Sequence, residues 1–204
     1  MTISKGSRWG TPGRLAEGSR VVYSDAELRS VVSEQRRAGT PPTPIGVAGG
    51  DLHRTIGSPP QDRMWGPDAI HYPIDVVEVI LDDRLPTWFV AHLVAGRAPR
   101  WLVATLVVMN GSFLGSANLG PRSHPDDGFI DVTLGRVPLN DYRALRSRLG
   151  AGGHLPHPGL ATSRVKVLDT SFPRSVGVRL DGVQVGRARQ IQCRVLPDAA
   201  VIVA

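Results

Sequence analysis

Residues 101–132 read WLVATLVVMNGSFLGSANLGPRSHPDDGFIDV, and their pattern decides the fold. Residues 101–109 are a nearly unbroken apolar run of strand type, ended by Asn110-Gly111. Small residues follow (Gly115, Ser116, Ala117 and Gly120), and Pro125-Asp126-Asp127-Gly128 turns the chain into a second apolar strand. Asp-Gly makes a turn for a physical reason. Both residues tolerate a positive φ, and the carboxylate can bond nearby backbone.

The same alternation of short apolar runs and polar turns continues to Val203. It predicts strands at 131–137, 164–168, 175–180, 189–196 and 199–203, with turns at Phe172-Pro173 and Asp181-Gly182. One helix interrupts them, over 139–149, with Asn140 as its cap and Gly150 to Gly153 as its stop. Upstream, 74–81 and 86–95 form a predicted hairpin around Asp82-Asp83-Arg84.

The first part of the chain has a different character. Residues 1–19 are rich in Gly, Arg and Ser and are expected to be disordered. A short strand at 20–23 leads to Ser24 or Asp25, either of which can cap a helix running to Gly39. Thr40-Pro-Pro-Thr-Pro44 ends that helix, and a buried-type strand at 45–48 runs into Gly49-Gly50-Asp51. This is one strand–helix–strand unit over 20–57. Residues 52–73 hold four prolines and no sustained period, so 58–73 reads as a linker before a β domain at 74–204.

Composition narrows the function classes. Of 204 residues, 41% are hydrophobic and 21% charged, as in ordinary globular proteins. Gly 23 and Pro 17 favour short strands and many turns. No apolar run is long enough to span a membrane, and the N-terminal segment lacks a signal peptide's apolar core. The single Cys193 has no partner for an internal disulfide and reads as a packed strand residue; a cytoplasmic location is expected. The net charge of +6 comes from scattered arginines, with no long basic run and 5% aromatics, so no nucleic-acid partner is expected.

Several motifs in fixed order resemble the bacterial diacylglycerol and related lipid kinases of the NAD kinase superfamily. Pro125 to Val132 resembles that family's "DDG-apolar-apolar-DV" turn, and Gly153-His154 with His157-Pro158 resembles its "G-H…H-P" segment. Val178-Arg-Leu-Asp-Gly182 resembles its "apolar-DGE" strand end, and residues 195–201 resemble its closing "V-x-P-x-A-apolar" strand. Tyr72-Pro-Ile-Asp75 resembles its "IDLG" start, so the likeness covers about 70–204. It implies an α+β protein: a reduced N-terminal α/β fragment followed by a β-sandwich of the NAD kinase and diacylglycerol kinase type.

The resemblance also assigns roles. Gly49, Gly50 and Asp51 match the start of the family's GGDGT, whose glycines let backbone N–H groups approach the phosphates of ATP. The turn before the second strand implies a magnesium site made by the Asp127 carboxylate with the carbonyls of His124 and Phe129. His154 and His157 are three apart, lie outside any predicted helix and have no third ligand, so they read as loop-orienting residues rather than a zinc pair.

Three departures bear on mechanism. The third glycine of GGDGT is Leu52 and its threonine is His53. Residues 57–74 contain nothing like the family's P-x-G-T-x-N-D-x-A segment. The glutamate of "DGE", the expected proton acceptor in phosphoryl transfer to a lipid hydroxyl, is Val183. Asp181 is the nearest carboxylate that could substitute as base; otherwise it is a turn residue capping Gly182 and Val183.

Two functions follow as expectations. One is ATP- and magnesium-dependent phosphorylation of a lipid hydroxyl. The other is a non-catalytic lipid- or protein-binding module, with peripheral membrane contact and a second copy or partner chain supplying what is missing. A purely structural oligomerisation domain is a third.

Overall fold

A computed structural model describes residues 9–96, 104–135 and 159–204. The expected helix at 139–149, with His154 and His157, lies outside them. Strands β1 (Thr11–Pro12) and β2 (Val21–Val22) precede helix α1 (Asp25–Ala38) and strand β3 (Ile45–Val47). Ser24 caps α1 by accepting the Glu27 N–H at 3.3 Å, and Glu27 accepts the Tyr23 N–H at 2.7 Å. Gly39, at φ 65°, closes the helix in the left-handed conformation. Leu28, Val31 and Val32 form its buried face, packed on Ile45, Val47 and Trp88.

Residues 52–73 are folded rather than a free linker. They contain helix α2 (Asp51–Thr55), a 3-10 turn at Gln61–Trp65, and the start of strand β4 (Ile70–Leu81). Met64, fully buried with Leu15, Ala69 and Val203, anchors the stretch despite its prolines. Of the stretch 1–19 expected to be disordered, residues 9–19 are described and are held by contacts. Trp9 donates to the Pro73 carbonyl at 2.9 Å and packs on Tyr72 and His124.

The remaining elements are strands: β5 (Thr87–Phe89), β6 (His92–Gly96), β7 (Ala104–Met109), β8 (Phe113–Leu114), β9 (Ala117–Asn118), β10 (Ile130–Gly135), β11 (Leu160–Val165), β12 (Val167–Leu180) and β13 (Val183–Val203). Among the described residues, eleven strands make one sheet in the order β1-β4-β13-β12-β6-β7-β10-β11. Strands β2 and β3 attach to it through β13, and β5 attaches through β4. Strand β3 runs parallel to the end of β13, with Ile45 opposite Ile202. The N-terminal unit is therefore continuous with the main sheet, and the boundaries at 57 and 74 do not divide it. The sheet folds over itself, so Val77 and Ile191 on one side share a core with Leu93, Leu106, Val108 and Ile130 on the other. Cys193 lies in this core, where burial pushes its thiol up to about 12, as suits a packing residue.

Two strands are longer than the sequence suggests. The expected turn at Phe172-Pro173 is a bulge inside β12, and Pro197 sits in a second bulge of β13 between Leu196 and Ala200. Bulges absorb prolines because the extra residue needs no ladder hydrogen bond.

One predicted strand is instead two. The run at 86–95 breaks at Val90-Ala91: β5 pairs with β4, whereas β6 pairs with β12 and β7. At the break the amides of Val90, Ala91 and His92 all donate to the Asp181 carboxylate, at 3.0, 2.9 and 3.1 Å. Asp181 and Gly182 have φ of 49° and 80°, the paired positive angles of a tight two-residue hairpin turn joining β12 to β13. The turn is as expected, but the side chain is not a cap on Gly182 and Val183. It points inward, 5% exposed, and replaces ladder partners for three amides. Asp181→Ala leaves those three N–H groups buried and unpaired, at about 1–3 kcal/mol each. We expect a loss of stability of about 3 kcal/mol or more by urea unfolding.

Candidate functional site

The residues singled out as nucleotide-binding lie where β3 meets α2. Gly50 has φ 97°, and a Cβ there would stand 2.6 Å from Asp25 Oδ1; one at Gly49 would stand 2.4 Å from the Tyr23 carbonyl oxygen. Both glycines are thus required by the chain's own packing. The amides that open α2 are occupied. Asp51 N–H donates to one Asp25 oxygen at 2.6 Å and Leu52 N–H to the other at 3.0 Å. Asp25, the first residue of α1, is buried because its carboxylate is turned into this loop.

Helix α2 is tied in turn to the segment after Asn110. Asp51 accepts the Gly115 N–H at 2.9 Å on each oxygen, and Thr55 Oγ1 accepts the Ser112 N–H at 3.0 Å. Arg54 donates to the Gly115 carbonyl at 2.7 Å and lies over the Phe113 ring. Beneath this contact, His92 Nδ1 is buried without a hydrogen-bond partner, 3.7 Å from Asp51 Oδ2. One ligand-type atom from each of Asp25, Asp51 and His92 lies within 4.8 Å of the others. Burial pushes Asp25 up to about 6, with the Asp51 charge adding to it, and burial pushes Asp181 up to about 7, with Asp25 adding. Burial lowers His92, and Asp51 opposes that shift.

The residues singled out for magnesium gather around Asp75, which is fully buried at the start of the main sheet. Asp75 accepts the Gly128 N–H at 2.7 Å and the Asp198 N–H at 3.1 Å, and its own N–H donates to the Pro125 carbonyl. Asp127 Oδ1 accepts the Phe129 N–H at 2.9 Å, while Oδ2 pairs with Arg164, whose guanidinium lies over the Phe129 ring. His124 Nδ1 accepts the Asp126 N–H. Asp126 Oδ1 is the buried oxygen here that has no partner. The structure therefore brings His124, Asp127 and Phe129 together but commits both Asp127 oxygens to the chain. Burial pushes Asp75 and Asp126 up to about 6 and raises Asp127, whose shift Arg164 opposes.

Sequence reasoning did not single out Asp25, His92, Asp75 or Asp126 as site residues. The first two lie 26 and 41 positions from Asp51 with no motif linking them, so only the fold assembles them. Asp126 had a signal, as the other carboxylate of the Asp-Asp-Gly turn.

No protein-family model matches this chain, and no curated protein sequence does. Solved structures do. A diacylglycerol kinase from Bacillus anthracis strain Sterne superposes with a TM-score of 0.67 over 89% of this chain and 74% of its own, at 16% identity. The fold is that of the bacterial diacylglycerol kinases. Two further diacylglycerol kinase structures from the same strain agree, at TM-scores of 0.66 and 0.63 and 14% identity, each covering 76% of its own chain. At such identity the likeness is one of fold, and it extends over the N-terminal unit as well as the motifs at 70–204.

The raised carboxylates set a pH dependence. A buried aspartate with a folded value of about 6–7 against 3.8 binds more protons folded than unfolded between those values, so stability falls as pH rises through that window. We expect the melting temperature of the metal-free protein to be higher at pH 5 than at pH 8. A flat or rising profile contradicts the burial of these groups.

Proposed function

We propose that this chain keeps the diacylglycerol kinase fold as a lipid-binding module and does not by itself transfer phosphate from ATP. The observation that carries this reading is the Asp25 carboxylate on the Asp51 and Leu52 amides. A phosphate held by that loop needs those N–H groups. It would have to displace two hydrogen bonds and approach a buried negative charge, with no basic side chain of the loop to offset it. Leu52 and His53 further replace the small and hydroxyl residues of the resembling motif.

The proton acceptor is absent in the same sense. Val183 is 41% exposed at the turn where the resemblance places a glutamate, and Asp181 is committed to three amides. Magnesium at the Asp126-Asp127 turn would be held by Asp126, whose Oδ1 has no partner, with Asp127 joining only on release of Arg164. It would supply charge neutralisation among the carboxylates and a fixed turn.

The lipid half of the reading rests on the fold likeness. It gains support from one end of the sheet, where Leu85 is 90% exposed in the β4–β5 turn. Arg84 reaches toward Gly186, and the Arg189 backbone N–H donates to Asp82 of the same turn while its guanidinium donates to the Pro173 carbonyl. A protruding leucine suits contact with an apolar ligand or a membrane face, and the charges beside it, Asp82, Asp83 and Arg84, are mixed in sign.

Calorimetric titration with ATP and magnesium tests the first half. No binding up to millimolar ATP is expected for the native chain, and Asp25→Ala, which frees the two amides, should bring binding into the measurable range. Micromolar binding by the native chain, lost in Gly50→Val, overturns the reading. Co-sedimentation with vesicles of anionic phospholipid containing diacylglycerol tests the second half: pelleting is expected, and a protein left in the supernatant contradicts it.

A further inference from the structure

We propose that Asp25, Asp51 and His92 form a binding site for a divalent transition-metal ion of the zinc class. The proposal goes beyond the reading above and holds whether or not ATP binds. The first observation is convergence: three elements far apart in sequence, the start of α1, the start of α2 and the start of β6, bring their ligand atoms within 4.8 Å. The second is independent of the carboxylates. The His92 side chain is 6% exposed, and its Nδ1 is enclosed without a hydrogen-bond partner, 3.7 Å from Asp51 Oδ2. A buried imidazole nitrogen facing two carboxylates and bonded to neither is a polar group left unsatisfied by the protein alone.

The spacing suits a metal better than a direct hydrogen bond. Ligands about 2.1 Å from a tetrahedral zinc ion stand roughly 3.4 Å apart, close to the His92–Asp51 separation. Asp25 can bind a cation without giving up its amides, because each carboxylate oxygen has a second lone pair. The His92 backbone is fixed by its N–H bond to Asp181, so the ring is delivered to the site from a held segment. Asp51, 19% exposed, gives the site access to solvent and room for a water as fourth ligand. The donor set decides the metal class. Magnesium takes oxygen ligands, whereas an imidazole nitrogen with carboxylates suits zinc, cobalt or iron.

The test uses the metal-free full chain. Titration with Co²⁺ read by visible absorption, and with Zn²⁺ read by calorimetry, should show one equivalent bound. His92→Asn should weaken binding at least a hundredfold while near-ultraviolet circular dichroism stays native. Should that variant fail to fold, Asp51→Asn gives the same readout. The double variant His154→Ala/His157→Ala should bind as the native chain does. No cobalt band or heat up to millimolar metal, unchanged binding in a folded His92→Asn or Asp51→Asn, or loss of binding in the double variant each overturns the proposal.

Discussion

Aspartate carboxylates accepting backbone amides from distant segments hold this protein's junctions together. Asp25 holds the start of α2, Asp51 holds Gly115, Asp75 holds Gly128 and Asp198, and Asp181 holds the break between β5 and β6. A chain with many glycine and proline turns leaves amides outside helices and ladders, and each must find an acceptor. A short side chain with two oxygens can satisfy two or three such donors at once. The cost is charge. The Asp25 charge raises the pKa of Asp181 in the same direction as burial does, and Asp75 does the same to Asp126. The fold is thus built from strong individual clamps that repel one another in pairs.

That constraint links architecture to function. On the proposed reading, the clamp that joins the N-terminal unit to the loop after β3 fills the place a phosphate would take. The same glycines that would let a nucleotide approach instead let Tyr23 and Asp25 approach. Loss of nucleotide chemistry and gain of a compact N-terminal junction are, on this view, one event. The Asp75 clamp plays the corresponding role in the acidic turn, where Arg164 already neutralises one carboxylate.

Much of this was legible in the residues. Ser24 and Gly39 mark α1 to within a residue, because caps act locally. Asp82-Asp83, Asp127-Gly128 and Asp181-Gly182 all form the turns their chemistry predicts, and five of those residues sit at positive φ. The misreadings share one cause. Pro173 and Pro197 look like strand ends, yet bulges hold them inside long strands whose partners lie elsewhere in the sequence. The apolar run at 86–95 looks like one strand, yet tertiary bonds from Asp181 split it. The site was half visible: Gly49-Gly50-Asp51 stands out as a motif, whereas Asp25 looks like an ordinary residue in a helix's first turn. Nothing local says that its carboxylate turns back onto the loop.

The most direct measurement follows the amide resonances of Asp51 and Leu52 by two-dimensional nuclear magnetic resonance while ATP and magnesium are added at neutral pH. The account predicts that both stay at positions typical of bonds to a carboxylate, and that both move when Asp25 is protonated at low pH. Saturable shifts of these two amides with ATP, while Asp25 is ionised, would mean that the loop still receives phosphate and would contradict it.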